Sequence, residues 1–161
     1  GLTVARVLHE TYPEEGIVFL GDTKRNPYGE RSRDDIVRFS FAIKDFLKEK
    51  GVAIYDTAQQ VIRTKNTASD KDLQIVQPSD LDGMLARLPE CKAVLTAGQL
   101  ATKVFSDHFG IRSLPKMGEY VEFTVGTRQL RLYRMPSSSR AYPMAVEKKA
   151  EYYRKMFEEI L

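Results

Sequence analysis

A chain of 161 residues with 42% hydrophobic content can build one sizeable core, and it carries no repeat or low-complexity tract that would divide it. Its net charge of +3 permits a nucleic-acid partner without demanding one, and a single cysteine, Cys91, excludes an intrachain disulfide and a multi-cysteine zinc or iron–sulfur centre. No signal peptide is legible and no apolar run approaches the roughly 18 residues of a membrane span, so a reducing, cytoplasmic setting without a membrane partner is the expectation.

In chain order, Thr3 to Tyr12 reads as a helix through Val4, Val7, Leu8 and Tyr12. An apolar run, Ile17 to Leu20, ends in Gly21-Asp22 and is followed by Asn26-Pro27-Tyr28-Gly29. Asp34 to Lys50 carries Ile36, Phe39, Ile43, Phe46 and Leu47 on one side and stops at Gly51, a natural C-cap. Gly51 to Asp56 is a short apolar run and reads as a buried parallel strand. Asp56 then stands at its carboxyl end, where ligands gather in open parallel sheets, or forms a turn with Thr57. Arg63 to Asp72, with Asn66, Ser69 and Asp70, is a polar loop.

Ser79 to Leu88 reads as a helix opened by Ser79-Asp80 after Pro78 and closed before Pro89. Ala93 to Ala97 is a second buried parallel strand, turning at Gly98-Gln99 into a helix with Ala101, Val104, Phe105 and His108. The N–H groups of that turn either meet a phosphate or simply begin the helix. Tyr120 to Val125 and Gln129 to Arg134 form a hairpin about Gly126-Thr127-Arg128, its second strand alternating as a half-buried strand does. Val146, Ala150, Tyr153, Phe157 and Ile160 mark the apolar face of a last helix; Lys148, Lys149, Arg154 and Lys155 share its solvated face with Glu147, Glu151, Glu158 and Glu159. His9 and His108 read as packing or surface residues. Alternating helices and strands predict one α/β domain over residues 1–161, a three-layer α/β/α sandwich around a mainly parallel sheet.

Between the last strand and the last helix lies Met135-Pro136-Ser137-Ser138-Ser139-Arg140-Ala141-Tyr142-Pro143. Three hydroxyls, flanking prolines and an arginine give a rigid backbone that presents donors to an anion; a Ser-rich turn ending in an N-cap is the plainer alternative. Strand, Ser/Pro loop and helix in this order resemble the second signature motif of the uracil-DNA glycosylase superfamily. The likeness is closest to the thymine and mismatch-specific branch, whose motif also begins Met-Pro-Ser-Ser-Ser with an arginine just after it. Pro143, Lys148 and Tyr152-Tyr153 resemble the helix that follows the loop in that branch.

The resemblance implies a monofunctional DNA N-glycosylase of base-excision repair. Such an enzyme flips a damaged or mismatched base out of duplex DNA and hydrolyses its N-glycosidic bond as a monomer, without metal or cofactor. Met135, Pro136, Ser137, Ser138, Ser139 and Arg140 would grip the strained backbone, with Gly98 and Gln99 as further phosphate donors and Arg128, Arg131 and Arg134 flanking them. Arg140 or Tyr142 would fill the vacated stack, unless Tyr142 packs over the last helix. Met135 stands where more active branches carry a histidine, and its thioether cannot donate. Asp56 and Tyr28 would read the flipped base.

The first signature motif is where the chain departs from that family. Its only candidate is Ile17 to Gly29, with Asp22 or Asn26 orienting water, and the three residues between them make it wider than the family's motif. On a second registration Thr3 to Tyr12 is the helix that follows the motif, and the chain is an N-terminally truncated fold lacking its first strand. A catalytically impaired DNA-binding module is then the alternative to an enzyme. A small-molecule or nucleotide-binding α/β domain is a third class, with its anion site at the Gly98 turn and no Walker or dinucleotide fingerprint to support it.

Overall fold

The computed structural model describes Thr11 and residues 44–56, 58–63, 73–139 and 141–161. The predicted helix ending at Gly51 is present over 44–50. Gly51 takes φ +70°, and the N–H groups of Gly51 and Val52 donate to the carbonyls of Lys48 and Leu47 at 3.2 and 2.8 Å, the expected cap.

The strand expected next does not form. Residues 51–56 are irregular, with Ile54 57% and Tyr55 45% exposed, and only Val52 packs against the core. Asp56 and Tyr55 are instead tied by single bonds, the Asp56 carbonyl accepting from Ser79 Oγ at 2.6 Å and the Tyr55 hydroxyl from Arg87 Nη2 at 3.2 Å. A run this short carries no periodicity that distinguishes a strand from a connection. An antiparallel pair that the sequence reading lacked follows it: β1 (Ala58–Arg63) against β2 (Leu73–Pro78), in a register that includes Val61↔Ile75 and Arg63↔Leu73.

Helix α1 (Leu81–Ala86) begins where the Asp80 carboxylate accepts the Gly83 N–H at 2.9 Å. Its other end is closed from a distance: the Arg128 guanidinium donates to the carbonyls of Leu85, Leu88 and Cys91 at 2.9, 2.8 and 3.2 Å. The Leu85 and Leu88 carbonyls also accept the N–H groups of Leu88 and Cys91 at 3.1 and 3.0 Å, so the guanidinium ties the end of α1 to the turn that follows it. Arg128 is therefore a cap, not the flanking phosphate contact expected of it.

A three-stranded sheet has the order β3 (Ala93–Ala97), β5 (Arg128–Met135), β4 (Tyr120–Val125). β3 and β5 run parallel, Ala93↔Arg131 to Ala97↔Met135, whereas β4 and β5 are the predicted antiparallel hairpin, Val125↔Arg128 to Tyr120↔Tyr133. Among the described residues this sheet has one parallel and one antiparallel pairing, the latter because the two-residue turn Gly126-Thr127, with Gly126 at φ +60°, returns the chain alongside itself.

β5 is buried on both faces, where alternation of apolar and basic residues predicted one. Leu130 and Leu132 (0% exposed) join Leu81, Leu85, Phe105 and Phe123 in one core; Tyr133 (1%) and Met135 join Phe46, Leu47, Tyr153, Met156 and Phe157 in the other. The first core is filled from α1 and α2 (Gln99–Phe109), the second from residues 44–50 and α3 (Val146–Ile160). The arginines that suggested a wet face are laid over other groups, Arg131 over the Tyr120 ring at 4.5 Å and Arg134 toward the Pro115 carbonyl at 3.5 Å. Far up the chain, buried Thr11 donates from Oγ1 to the Ala150 carbonyl at 3.4 Å, and its own carbonyl accepts from Arg154 Nε at 3.3 Å.

Among the described residues no helix is long and apolar enough to cross a membrane. Arg128→Ala should remove the three guanidinium bonds behind α1 and lower stability by about 1–3 kcal/mol, read as a fall in the urea midpoint at unchanged slope.

Candidate functional site at the carboxyl end of the parallel strands

Because β3 and β5 are parallel, their carboxyl ends at Ala97 and Met135 lie at the same edge, and the chain turns sharply after both. Gly98 takes φ +95°, a region that side chains disfavour, and its N–H donates to the Met135 carbonyl at 3.0 Å. A Cβ on Gly98 would meet Ser137 Cβ at 3.3 Å, so the two turns touch. The Gly98 carbonyl accepts from the Thr102 N–H and Oγ1 at 3.2 and 2.8 Å, and Thr102 Oγ1 is 2.9 Å from Thr96 Oγ1 at the end of β3.

The serine loop folds on itself and onto α3. Ser137 Oγ accepts the Ser139 N–H, and Ser139 Oγ the Ala141 N–H, each at 3.2 Å. The Pro136 carbonyl accepts from the Tyr153 hydroxyl at 3.2 Å. The Ser139 carbonyl accepts from the Tyr142 N–H at 3.1 Å and from Lys149 Nζ at 2.7 Å, and that ammonium also lies 5.5 Å from the centre of the Tyr142 ring. A third turn enters the same edge ahead of β4. There the Gly118 N–H donates to the Arg134 carbonyl at 2.6 Å, Met117 Sδ lies 4.0 Å from the Tyr142 hydroxyl, and a Cβ on Gly118 would strike the Tyr152 ring at 2.7 Å.

The predicted site residues do not all come together. Ser137, Ser138 and Ser139 are half-buried at this rim, with exposed Gln99 in the first turn of α2 across from them. Met135 and Pro136 are wholly buried, Met135 in the core shared with Tyr153 and Phe157, so neither side chain is open to a ligand at the surface. Gly98 contributes shape, its N–H being committed to Met135. Tyr142 is half-buried between Met117 and Lys149, the packing alternative. Asp56 is exposed on the irregular segment, not at a strand end. Asp22, Asn26, Tyr28, Arg140 and His9 lie outside the described residues. His108 is a surface residue, 2.7 Å from the Asp82 carboxylate.

Sequence reasoning missed Lys149, which it assigned to the solvated face. The side chain is 1% exposed. The signal was there: position 149 stands three after Val146 and four before Tyr153, on the apolar stripe itself. Among the described residues no group of three or more His, Cys, Asp or Glu is arranged to hold a metal ion.

Burial pushes the Tyr153 hydroxyl well above the ordinary tyrosine range, and burial is also the first cause of the rise at Tyr133, where the bond with Arg131 opposes it and the bond to Glu159 adds to it. A folded-state value raised above the free value of 10.0 favours the protonated form in the native protein. The associated stability is intact below pH 10 and is lost as the pH rises beyond it. Stability measured by urea unfolding should therefore fall above that pH, with a shallower fall in Tyr153→Phe.

No family model matches the chain, and no solved structure matches it. Curated proteins do. The chain is 43% identical over 77 residues to a glutamate racemase of Lactococcus lactis subsp. cremoris, a match covering 48% of this chain and 26% of the relative. It is 52% identical over 52 residues to the glutamate racemase of Aquifex aeolicus, 32% of this chain and 20% of that protein. Glutamate racemase 3 of Caldanaerobacter subterraneus subsp. tengcongensis is 47% identical over 62 residues, 38% of this chain and 23% of its own length. The chain thus spans about a quarter of the curated relatives it matches.

These relatives overturn the glycosylase resemblance. They are named for isomerisation of a small molecule, so the expected DNA N-glycosylase of base-excision repair, the DNA-binding module offered as its alternative and duplex DNA as partner are all corrected. A strand, a Ser/Pro loop and an amphipathic helix form a local arrangement that does not specify a reaction.

Proposed function

We propose that this chain takes part in the interconversion of the two enantiomers of glutamate, the reaction for which its relatives are named. The 43% identity over 77 residues with the Lactococcus lactis racemase carries this reading. Of the three classes considered from the sequence, it favours the small-molecule α/β domain. The reading is of one domain over residues 1–161, supported by the bonds between Thr11 and α3, and of a three-layer α/β/α arrangement, supported by the two cores that share β5. The lone cysteine supports a reducing, cytoplasmic setting.

Racemisation breaks the Cα–H bond: the proton passes to a base on one face, the electron pair spreads into the adjoining carboxyl group, and a proton returns to Cα from an acid on the opposite face. Two demands follow: proton-handling groups on both sides of Cα, and donors that stabilise negative charge on the carboxyl oxygens. Asp22 is the proposed proton acceptor, with Asn26 and Tyr28 as donors to the substrate and Asp56 as partner of its ammonium. The half-buried hydroxyls of Ser137, Ser138 and Ser139, with the N–H groups that open α2 at Gln99, are the proposed holders of a carboxylate.

The test is the fate of the α-hydrogen. Incubated in D2O with either enantiomer of glutamate, the protein should exchange the α-proton, followed by proton NMR, and generate the opposite enantiomer, followed by chiral chromatography. Asp22→Asn should slow both by about 10²-fold or more. Absence of exchange from both enantiomers would overturn the reading.

A further inference from the structure

Among the described residues Lys149 is the only charged side chain that is buried, and it lies beneath the serine loop. Packing alone does not account for a lysine there. Withdrawing an ammonium from water is costly, and a leucine at the same point of the apolar stripe would fill the space without that cost. What the ammonium does is local. It donates to the Ser139 carbonyl at 2.7 Å and lies 5.5 Å from the centre of the Tyr142 ring, while Tyr153, one turn further along α3, bonds the Pro136 carbonyl at 3.2 Å.

Ser139 is the hub of the loop. Its carbonyl takes both the Lys149 ammonium and the Tyr142 N–H, and its hydroxyl takes the Ala141 N–H. Tyr142 is fixed in turn by its contact with Met117. Two bonds from α3, to the carbonyls of Pro136 and Ser139, thereby hold the serine run at both ends, and Tyr142 links it to the turn ahead of β4.

We propose that Lys149 is the positioning residue of the rim: its ammonium pins the Ser139 carbonyl and the Tyr142 ring, and so aims the hydroxyls of the serine run at a carboxylate ligand. The ligand class rests on the glutamate reading above; the latch itself does not. Lys149 touches no substrate in this role and acts through Ser139 and Tyr142.

The experiment follows backbone amide exchange by NMR in the wild type, Lys149→Met and Lys149→Arg. Lys149→Met should speed exchange at Ala141 and Tyr142 about tenfold or more, while the Gly98 and Arg134 amides, bonded across the sheet edge, keep their rates. Lys149→Arg should restore most of the loss. Unchanged rates at Ala141 and Tyr142 overturn the latch, and so does equal acceleration at all four amides, which would make Lys149 a core residue only. If Lys149→Met does not fold, the wild type still decides. Its Lys149 Nζ–H signal should persist at neutral pH and shift with the Tyr142 ring, and a freely exchanging ammonium overturns the proposal. Where glutamate turns over, Lys149→Met should raise KM about tenfold with kcat held, the signature of lost uniform binding. Loop behaviour as described with no α-proton exchange would sink the racemase reading alone; turnover with an indifferent loop would sink the latch alone.

Discussion

The arrangement of every described part of the main sheet follows from β5 having no exposed face. A strand paired on both edges and covered on both sides must supply an apolar surface in each direction, which it does by alternation: Leu130 and Leu132 one way, Tyr133 and Met135 the other. Helices α1 and α2 are recruited to the first surface, α3 and residues 44–50 to the second. Because β5 parallels β3, one edge collects the ends of both strands together with the turn into β4. The rim loops owe their proximity first to that central strand, and contacts such as that of Met117 with Tyr142 add to it.

Polar side chains do much of the joining between these layers. Arg128 gathers three carbonyls at the end of α1 from a position at the hairpin turn, and Tyr153 and Lys149 reach from α3 to the loop that leaves β5. Each satisfies backbone groups that burial would otherwise leave costly. Lone cations near a loop are easily taken for ligand contacts in a sequence; here Arg128 is consumed by a helix end, and a lysine taken for solvated surface is the one that meets the loop.

Elements with a strong local signal were legible. The cap at Gly51, the helix opened by Asp80, the turn at Gly98, the glycine hairpin and the stripe of α3 all stand as predicted, because each depends on neighbours within a few residues. What was illegible depends on distance. Residues 51–56 look like a strand by composition, yet nothing in that run says whether an edge is available to pair with. The burial of Lys149 depends on the loop above it, and the mixed sheet on β5 entering between β3 and β4. The loop at Ser137 to Ser139 was found at the expected edge of the sheet, but the reaction attached to it by resemblance was wrong, since the residues that define a loop's shape are not those that define its chemistry.

The place of β5 in the sheet has a consequence for how the molecule assembles. Of the three described strands of its sheet it comes last in sequence and lies in the middle, so β3 and β4 have no bond to each other and wait for it. During synthesis the earlier segments leave the ribosome with their apolar sides uncovered, and the final helix, which seals one core, emerges after that. Pairing of β3 with β5 consequently waits until about 30 intervening residues have been made, and contacts between such distant parts of the chain are the slow ones to form.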